Sequence, residues 1–400
     1  MSLMIRIGIT KENIEIGDVR SPLNPRQSKK INSDINFNVE VQSSNLRCFE
    51  DNEFEHEGVR VVKKLNNSDI IFGIKEADKD KLIKNKTYFM FSHTIKKQPH
   101  NRNLLIQILK KKIKLIDYEC LKKRGKRIVA FGKYAGIAGT YNSVMAFGKK
   151  FDLFNLNRLS HFKNKKELYS FLENNPISHK IRTLIVGNGR VAKGASEILK
   201  YFGFKNVKLN EYKNNSHNYP VFSTIKTSDY MENITGNKFS KTDYYNNPKD
   251  YKSNFLKLSK NTDILINASY WDPRYPRLFE KDKIDDTFSI KVIGDISCDI
   301  KGSVPLTEFA STIKKPFFDY CLKTKRVKKA FENDNTVTMM TIDNLPSELP
   351  RDSSNYFGKI LMTYVIPFLN EPNNRIIENA TIAKNGNLTK KYEYLKDYVS

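Results

Sequence analysis

The chain has 400 residues, 39% of them hydrophobic and including 25 Phe and 20 Tyr. That is enough apolar material for two or three cores at about 150 residues per domain, which excludes a disordered polypeptide, and no apolar run reaches the roughly 20 residues that cross a bilayer. The formal charge of +25 comes from scattered lysines with only short runs, Lys110–Lys112 and Lys163–Lys166, and without an aromatic-interleaved basic module neither a nucleic-acid nor a membrane partner is expected.

The N-terminus leads straight into an apolar alternation and lacks the features of a signal or transit peptide; Met1–Leu3 reads as a remnant before a natural start at Met4, and a cytoplasmic location is expected. Strands are then predicted at Ile5–Ile9, Val39–Gln42, Ile70–Ile74, Thr87–Phe91 and Ile113–Asp117. A helix, Arg102–Lys111, stands between the last two, with Leu104, Leu105, Ile108 and Leu109 on one face. Strands alternating with helices predict a parallel, doubly wound sheet.

Ala138–Lys150 reads as a helical bridge to a second series. That series is a strand at Thr183–Val186, a helix at Val191–Phe202, and strands at Asn206–Asn210, Asp263–Asn267 and Ile290–Asp295. The polar stretch 212–260 reads as an insertion with little core of its own, and Tyr356–Leu369 as a helix that returns to the first domain. The expected organisation is therefore α/β, with two doubly wound domains. Residues 1–137 plus 335–400 form a discontinuous catalytic domain, and residues 138–334 form the second. The four cysteines, Cys48, Cys120, Cys298 and Cys321, contain no C-x-x-C pair, so reduced thiols are expected rather than a zinc site or a disulfide framework.

The strand ending at Val186 runs into Gly187-Asn188-Gly189-Arg190-Val191-Ala192 and then a helix. This G-x-G-x-x-A pattern suits a dinucleotide. The first glycine makes the turn, the second admits the pyrophosphate, and the small third residue packs helix on strand. The next predicted strand ends at Glu211, and 211 − 187 = 24, close to the offset of about 20 for an acid on the ribose. A carboxylate there favours NAD because it would repel a 2′-phosphate, while Lys213 nearby softens that argument, so the choice between NAD and NADP stays open.

In the first domain three polar groups follow apolar strands, where ligands of doubly wound sheets sit. They are Lys75 (with Glu76 beside it), His93 and Asp117. Lys75 and His93 suit an acid–base pair. Arg20 and Arg127 suit carboxylate clamps, because a guanidinium fork matches a carboxylate.

These segments resemble a known family. They are Asp18-Val-Arg-Ser-Pro-Leu-Asn-Pro, Gly73-Ile-Lys-Glu, Phe91-Ser-His-Thr-Ile-Lys-Lys-Gln, Leu115-Ile-Asp-Tyr-Glu, Arg127-Ile-Val-Ala-Phe-Gly-Lys-Tyr-Ala-Gly, Gly187–Ala195, Asn267-Ala-Ser-Tyr-Trp, Gly294-Asp-Ile-Ser-Cys-Asp and Thr341-Ile-Asp-Asn-Leu-Pro-Ser-Glu-Leu-Pro. Together they are similar to the lysine-forming saccharopine dehydrogenases, above all to the lysine–2-oxoglutarate reductase half of the bifunctional animal and plant enzyme. The resemblance spans almost the whole chain.

It implies two Rossmann-like domains, as in alanine dehydrogenase and transhydrogenase, with the active-site cleft between them. It implies catalysis by Lys75 and His93, and substrate contacts at Arg20, Lys96, Arg127 and Asp343. Cofactor contacts are implied at Gly187, Gly189, Arg190, Val191, Glu211, Tyr270 and Asp295. The reaction implied is NADPH- or NADH-dependent condensation of lysine with 2-oxoglutarate to saccharopine, without a metal, with NADP(H) favoured and NAD(H) kept. A separate enzyme would then process saccharopine. The rival readings are an NAD-linked dehydrogenase working toward lysine, an amino-acid dehydrogenase using ammonia, and a catalytically silent nucleotide sensor on the same fold.

Overall fold

The computed structural model describes residues 4–12, 18–34, 37–214, 216–332, 335–371 and 374–400, so Met1–Leu3 lie outside the described residues. The chain divides into two compact units, residues 1–131 with 350–400, and residues 132–349. Each is built on a mixed, mainly parallel sheet of eight strands. Among the described residues no helix is long and apolar enough to cross a membrane.

In the first unit the parallel strands are β1 (Ile5–Ile9), β2 (Phe37–Gln42), β3 (Arg60–Val62), β4 (Ile70–Phe72), β5 (Thr87–Met90) and β6 (Lys114–Asp117). They lie in the order β3-β2-β1-β4-β5-β6, and the antiparallel strand Thr381–Lys384 extends the sheet beyond β6. Short continuous apolar runs such as Ile70-Ile71-Phe72 are buried, as expected of strands covered on both faces. Helix α1 (Arg102–Lys110) lays Leu104, Leu105 and Ile108 into the same core. The strand order reverses between β1 and β4. The crevice outside the carboxyl ends of those two strands is where such a sheet receives ligands.

The second unit opens with helix α2 (Gly132–Lys150), nearly all of it buried. Its strands are β7 (Arg182–Val186), β8 (Lys205–Asn206), β9 (Val221–Ile225), β10 (Ile264–Asn267), β11 (Val292–Asp295), β12 (Phe317–Cys321), β13 (Arg326–Lys328) and β14 (Val337–Met340). They are arranged β8-β9-β7-β10-β11-β14-β12-β13, and β12 runs antiparallel to both its neighbours, β14 and β13. Helix α3 (Arg190–Tyr201) crosses α2 closely. A Cβ on Gly136 would stand 2.0 Å from the Val191 carbonyl oxygen, and one on Gly194 would stand 2.0 Å from that of Lys133. Two helices approach this closely only where neither carries a side chain at the crossing.

Three sequence expectations are corrected. The stretch 206–210 is not one strand. Pairing ends at Asn206, and helix α4 (Leu209–Asn214) follows. The stretch 212–260 is not an insertion with little core of its own, because β9 lies inside it and pairs with β7 along its whole length. Tyr212, Tyr230, Tyr251 and Phe255 from the same stretch are buried in the unit's core. Finally, the first domain does not resume at 335. Strand β14 hydrogen-bonds to β11 and β12, and the units meet in sequence at 131/132 and 349/350 rather than at 137/138 and 334/335.

Candidate active site

In the first unit the ends of β1, β4, β5 and β6 carry the polar groups. Glu12 follows β1, and its carboxylate accepts the backbone N–H groups of Ile74 (2.7 Å) and Lys75 (2.9 Å) after β4. The two strands at the order reversal are thereby tied together at the residue that presents the lysine. Burial, and then the charge of Asp18, push the Glu12 carboxyl up to about 8 against those two hydrogen bonds.

His93 follows β5 in a left-handed conformation (φ 51°). Its Nδ1 lies 2.5 Å from Oε1 of Glu76, the neighbour of Lys75. Burial works to raise Glu76, but the hydrogen bond and charge of His93, a backbone N–H and the charge of Lys75 outweigh it, so the carboxyl sits below its ordinary value. The imidazole is backed by the Phe91 ring at 6.2 Å, nearly parallel. The turn carrying His93 is set by Asp117 at the end of β6. Asp117 accepts the Ser92 N–H (3.0 Å), the Ser92 hydroxyl (2.5 Å) and the Glu119 N–H (2.7 Å). Burial raises the Asp117 carboxyl despite these bonds.

The expected carboxylate clamps divide. Arg127 and Lys96 converge on Glu119 Oε1, at 3.4 and 3.6 Å. The other Glu119 oxygen is buried, with no hydrogen-bond partner among the described residues. Arg20 is buried over the Phe131 ring, and its Nε and one terminal nitrogen are engaged by Asp18. Asp343 belongs to the second unit, exposed and within the electrostatic reach of Cys298.

In the second unit the glycine loop runs from β7 into α3. Gly187 has φ +115°, and a Cβ there would stand 2.7 Å from the Ala268 carbonyl oxygen, so only glycine suits the position. Above Gly189, by contrast, nothing among the described residues lies within 4 Å of where a Cβ would stand. Ala192 is buried, while Arg190 is exposed and Val191 half-buried at the helix start. A tight turn at Gly187, an open backbone face at Gly189 and the start of α3 directly after it fit a pyrophosphate, so the residues present suit a dinucleotide.

Tyr270 is 88% exposed in the loop after β10. Asp295 is fully buried, held by Asn267 (2.9 Å), Ser297 (2.8 Å) and Thr307 (2.6 Å). Burial raises its carboxyl. Glu211 does not stand at the end of the strand beside β7. It lies in α4, beyond the edge strand β8.

Sequence reasoning missed Glu12 and the joint engagement of Glu119 by Arg127 and Lys96. Glu12 was detectable as the first acid after the β1 run; Glu119 had no signal beyond its motif. Among the described residues no cluster of His, Cys, Asp and Glu suits a metal.

Comparison with known proteins agrees with this anatomy. Residues 8–138 match the family model for the N-terminal domain of alanine dehydrogenase/PNT. The chain is 29% identical to the mitochondrial alpha-aminoadipic semialdehyde synthase of Bos taurus, over 98% of this chain and 47% of that protein. It is 25% identical to the saccharopine dehydrogenase [NAD(+), L-lysine-forming] of Schizosaccharomyces pombe, over 86% of this chain and 88% of that one. The chain thus spans about half the length of the animal relative. An L-alanine dehydrogenase structure superposes with a TM-score of 0.64 at 14% identity, covering 99% of this chain and all of that one, which shows a shared fold. The resemblance read from the sequence motifs is borne out.

Proposed function

We propose, from this kinship, that the chain is a nicotinamide-dependent oxidoreductase that condenses L-lysine with 2-oxoglutarate to give saccharopine, with NADPH as the preferred reductant. The observation that carries the reading is the Glu12–Lys75 and Glu76–His93 arrangement at the strand ends of the first unit. A second unit with a glycine loop suited to a dinucleotide supports it.

The neutral ε-amine of lysine attacks C2 of 2-oxoglutarate. Because Glu76 holds Nδ1 of His93, its Nε2 is the nitrogen that takes the amine proton and returns it to the hydroxyl as water departs. Lys75, fixed through its own backbone N–H, gives as its ammonium the other proton that the carbinolamine oxygen needs to depart as water, and the iminium left behind keeps the N–H that the product amine carries. Lys96 and Arg127 exchange Glu119 for a substrate carboxylate. A bound reduced nicotinamide supplies the hydride that reduces the imine carbon.

Incubation with lysine, 2-oxoglutarate and NADPH should consume the nicotinamide and yield saccharopine by mass spectrometry. Equal efficiency with ammonia in place of lysine would sink the reading. The S. pombe relative matches this chain over most of both lengths. This favours one second reading, the same chemistry run from saccharopine with NAD toward lysine. Faster turnover in that direction would select it.

A further inference from the structure

We propose that Lys226, next to a groove that Lys193 lines, reads the 2′-position of the adenosine ribose and fits the second unit to a 2′-phosphorylated dinucleotide. The inference rests on the reading of that unit as a dinucleotide domain and names the residue that selects the cofactor.

In a doubly wound dinucleotide domain the ribose 2′-position is read from the end of the strand beside the first one. Chain order would make that strand β8, and a count from Gly187 then reaches Glu211. The sheet is arranged otherwise. β8 is the outer, edge strand, and β9 lies against β7. β9 and β7 end level, with Ile225 opposite Val186, and the Gly187 N–H donates to the Ile225 carbonyl at 2.9 Å. The residue after β9, beside the glycine loop, is therefore Lys226, 39 residues beyond Gly187 (226 − 187).

Alternation along β9 puts Thr224 and Lys226 on one face. The Thr224 hydroxyl lies 3.5 Å from that of Ser196 on α3, so this face is turned toward the helix. A groove of about 470 Å³ opens there, and its walls include Asn188, Lys193, Ser196, Lys200 and Thr224, with one acid, Glu197, whose carboxylate is engaged by Lys133, Lys165 and the Tyr169 hydroxyl. Lys193 and Lys226 are both exposed, and among the described residues neither ammonium has a carboxylate within ion-pair distance. The acid nearest in sequence, Asp229, turns its carboxylate back to accept the Lys226 backbone N–H at 2.7 Å. Two unpaired ammonium groups around an open groove complement a phosphate monoester of charge near −2.

The test titrates the full chain with NADPH and NADH, and with 2′,5′-ADP and 5′-AMP as fragments, following nicotinamide fluorescence and calorimetric heat. NADPH should bind at least about tenfold more tightly than NADH, as one charge-assisted contact allows. Lys226→Ala should cut that ratio about tenfold, Lys226→Arg should restore most of it, and Glu211→Ala should leave it where it stands. Lys226 is exposed, so its replacement removes no packing. Equal or tighter NADH binding, or an unchanged ratio in Lys226→Ala, would overturn the inference while leaving the dinucleotide reading intact. So would an NADH preference abolished by Asp229→Asn, which would give the ribose to that acid. Binding of neither cofactor would overturn the dinucleotide reading and the inference with it.

Discussion

At the strand ends of the first unit the charged groups are already engaged with one another. Glu76 holds His93, Glu12 holds the Lys75 backbone, Glu119 draws in Arg127 and Lys96, and Asp18 takes Arg20. In the second unit the turn after β7 is bare backbone, and the nearby Lys193 and Lys226 have no carboxylate within ion-pair distance among the described residues, the groove's acid Glu197 being taken by Lys133 and Lys165. The difference follows from what each region must do. Proton transfer depends on side chains fixed in direction before the substrate is bound. A pyrophosphate brings its own negative charge and needs open N–H groups and room, so acids placed there would only compete with it.

That contrast predicts separable losses. Lys75→Met and His93→Gln should each lower kcat by roughly 10²-fold, the usual scale for removing an acid–base group. Both should keep the dinucleotide Kd of the parent. The double variant should fall well short of the product of the two effects, because residues working as a unit are not additive. Stopped-flow and steady-state assays with fluorescence titration would check both halves, and single variants with parental turnover would remove the pair from the chemistry. In the other direction, Gly187→Ala forces a side chain onto φ +115° and against the Ala268 carbonyl. Strain of about 1–3 kcal/mol at such a site should weaken dinucleotide binding roughly tenfold. Lysine and 2-oxoglutarate binding, measured by calorimetry, should hold. Loss of both together would show that the two regions are not independent.

The first unit was the more legible in sequence for a topological reason. Its strands lie in the order of an ordinary doubly wound sheet, so each apolar run is followed directly by its functional group, as Phe72 is by Lys75 and Met90 by His93. In the second unit the chain visits the edge strand β8 before the inner strand β9. A rule based on residue spacing therefore arrives at Glu211, one strand too early. The stretch 212–260 misled for a different reason. Its core is made of Tyr212, Tyr230, Tyr244 and Tyr251, whose hydroxyls lower the apparent hydropathy even though the rings are buried. The network around His93 was hidden because Asp117 and Ser92 are 25 residues apart and meet only through the pairing of β5 with β6.

The last test asks whether the acid at the first unit's strand reversal is as enclosed as its partners suggest. Glu12 has a carboxyl pushed up to about 8 in the folded chain, against 4.5 as its ordinary value, through burial first and the charge of Asp18 second. A group raised on folding keeps its full contribution below the unfolded value, and that contribution is lost as pH rises through the folded one, because the unfolded chain releases the proton first. The Glu12 contribution to stability should therefore fall between about pH 4.5 and 8, and Tm should carry a downward slope across that window. Glu12→Gln cannot ionise, so its Tm should fall less steeply over the same range. Its absolute Tm should be lower at pH 5, because an amide offers one accepting oxygen where Ile74 and Lys75 present two N–H groups. Melting followed by circular dichroism at half-unit steps from pH 5 to 8 separates the two effects. Parallel slopes for parent and variant would mean that the carboxyl ionises at its ordinary pH, and hence that water reaches the strand reversal where Lys75 is held.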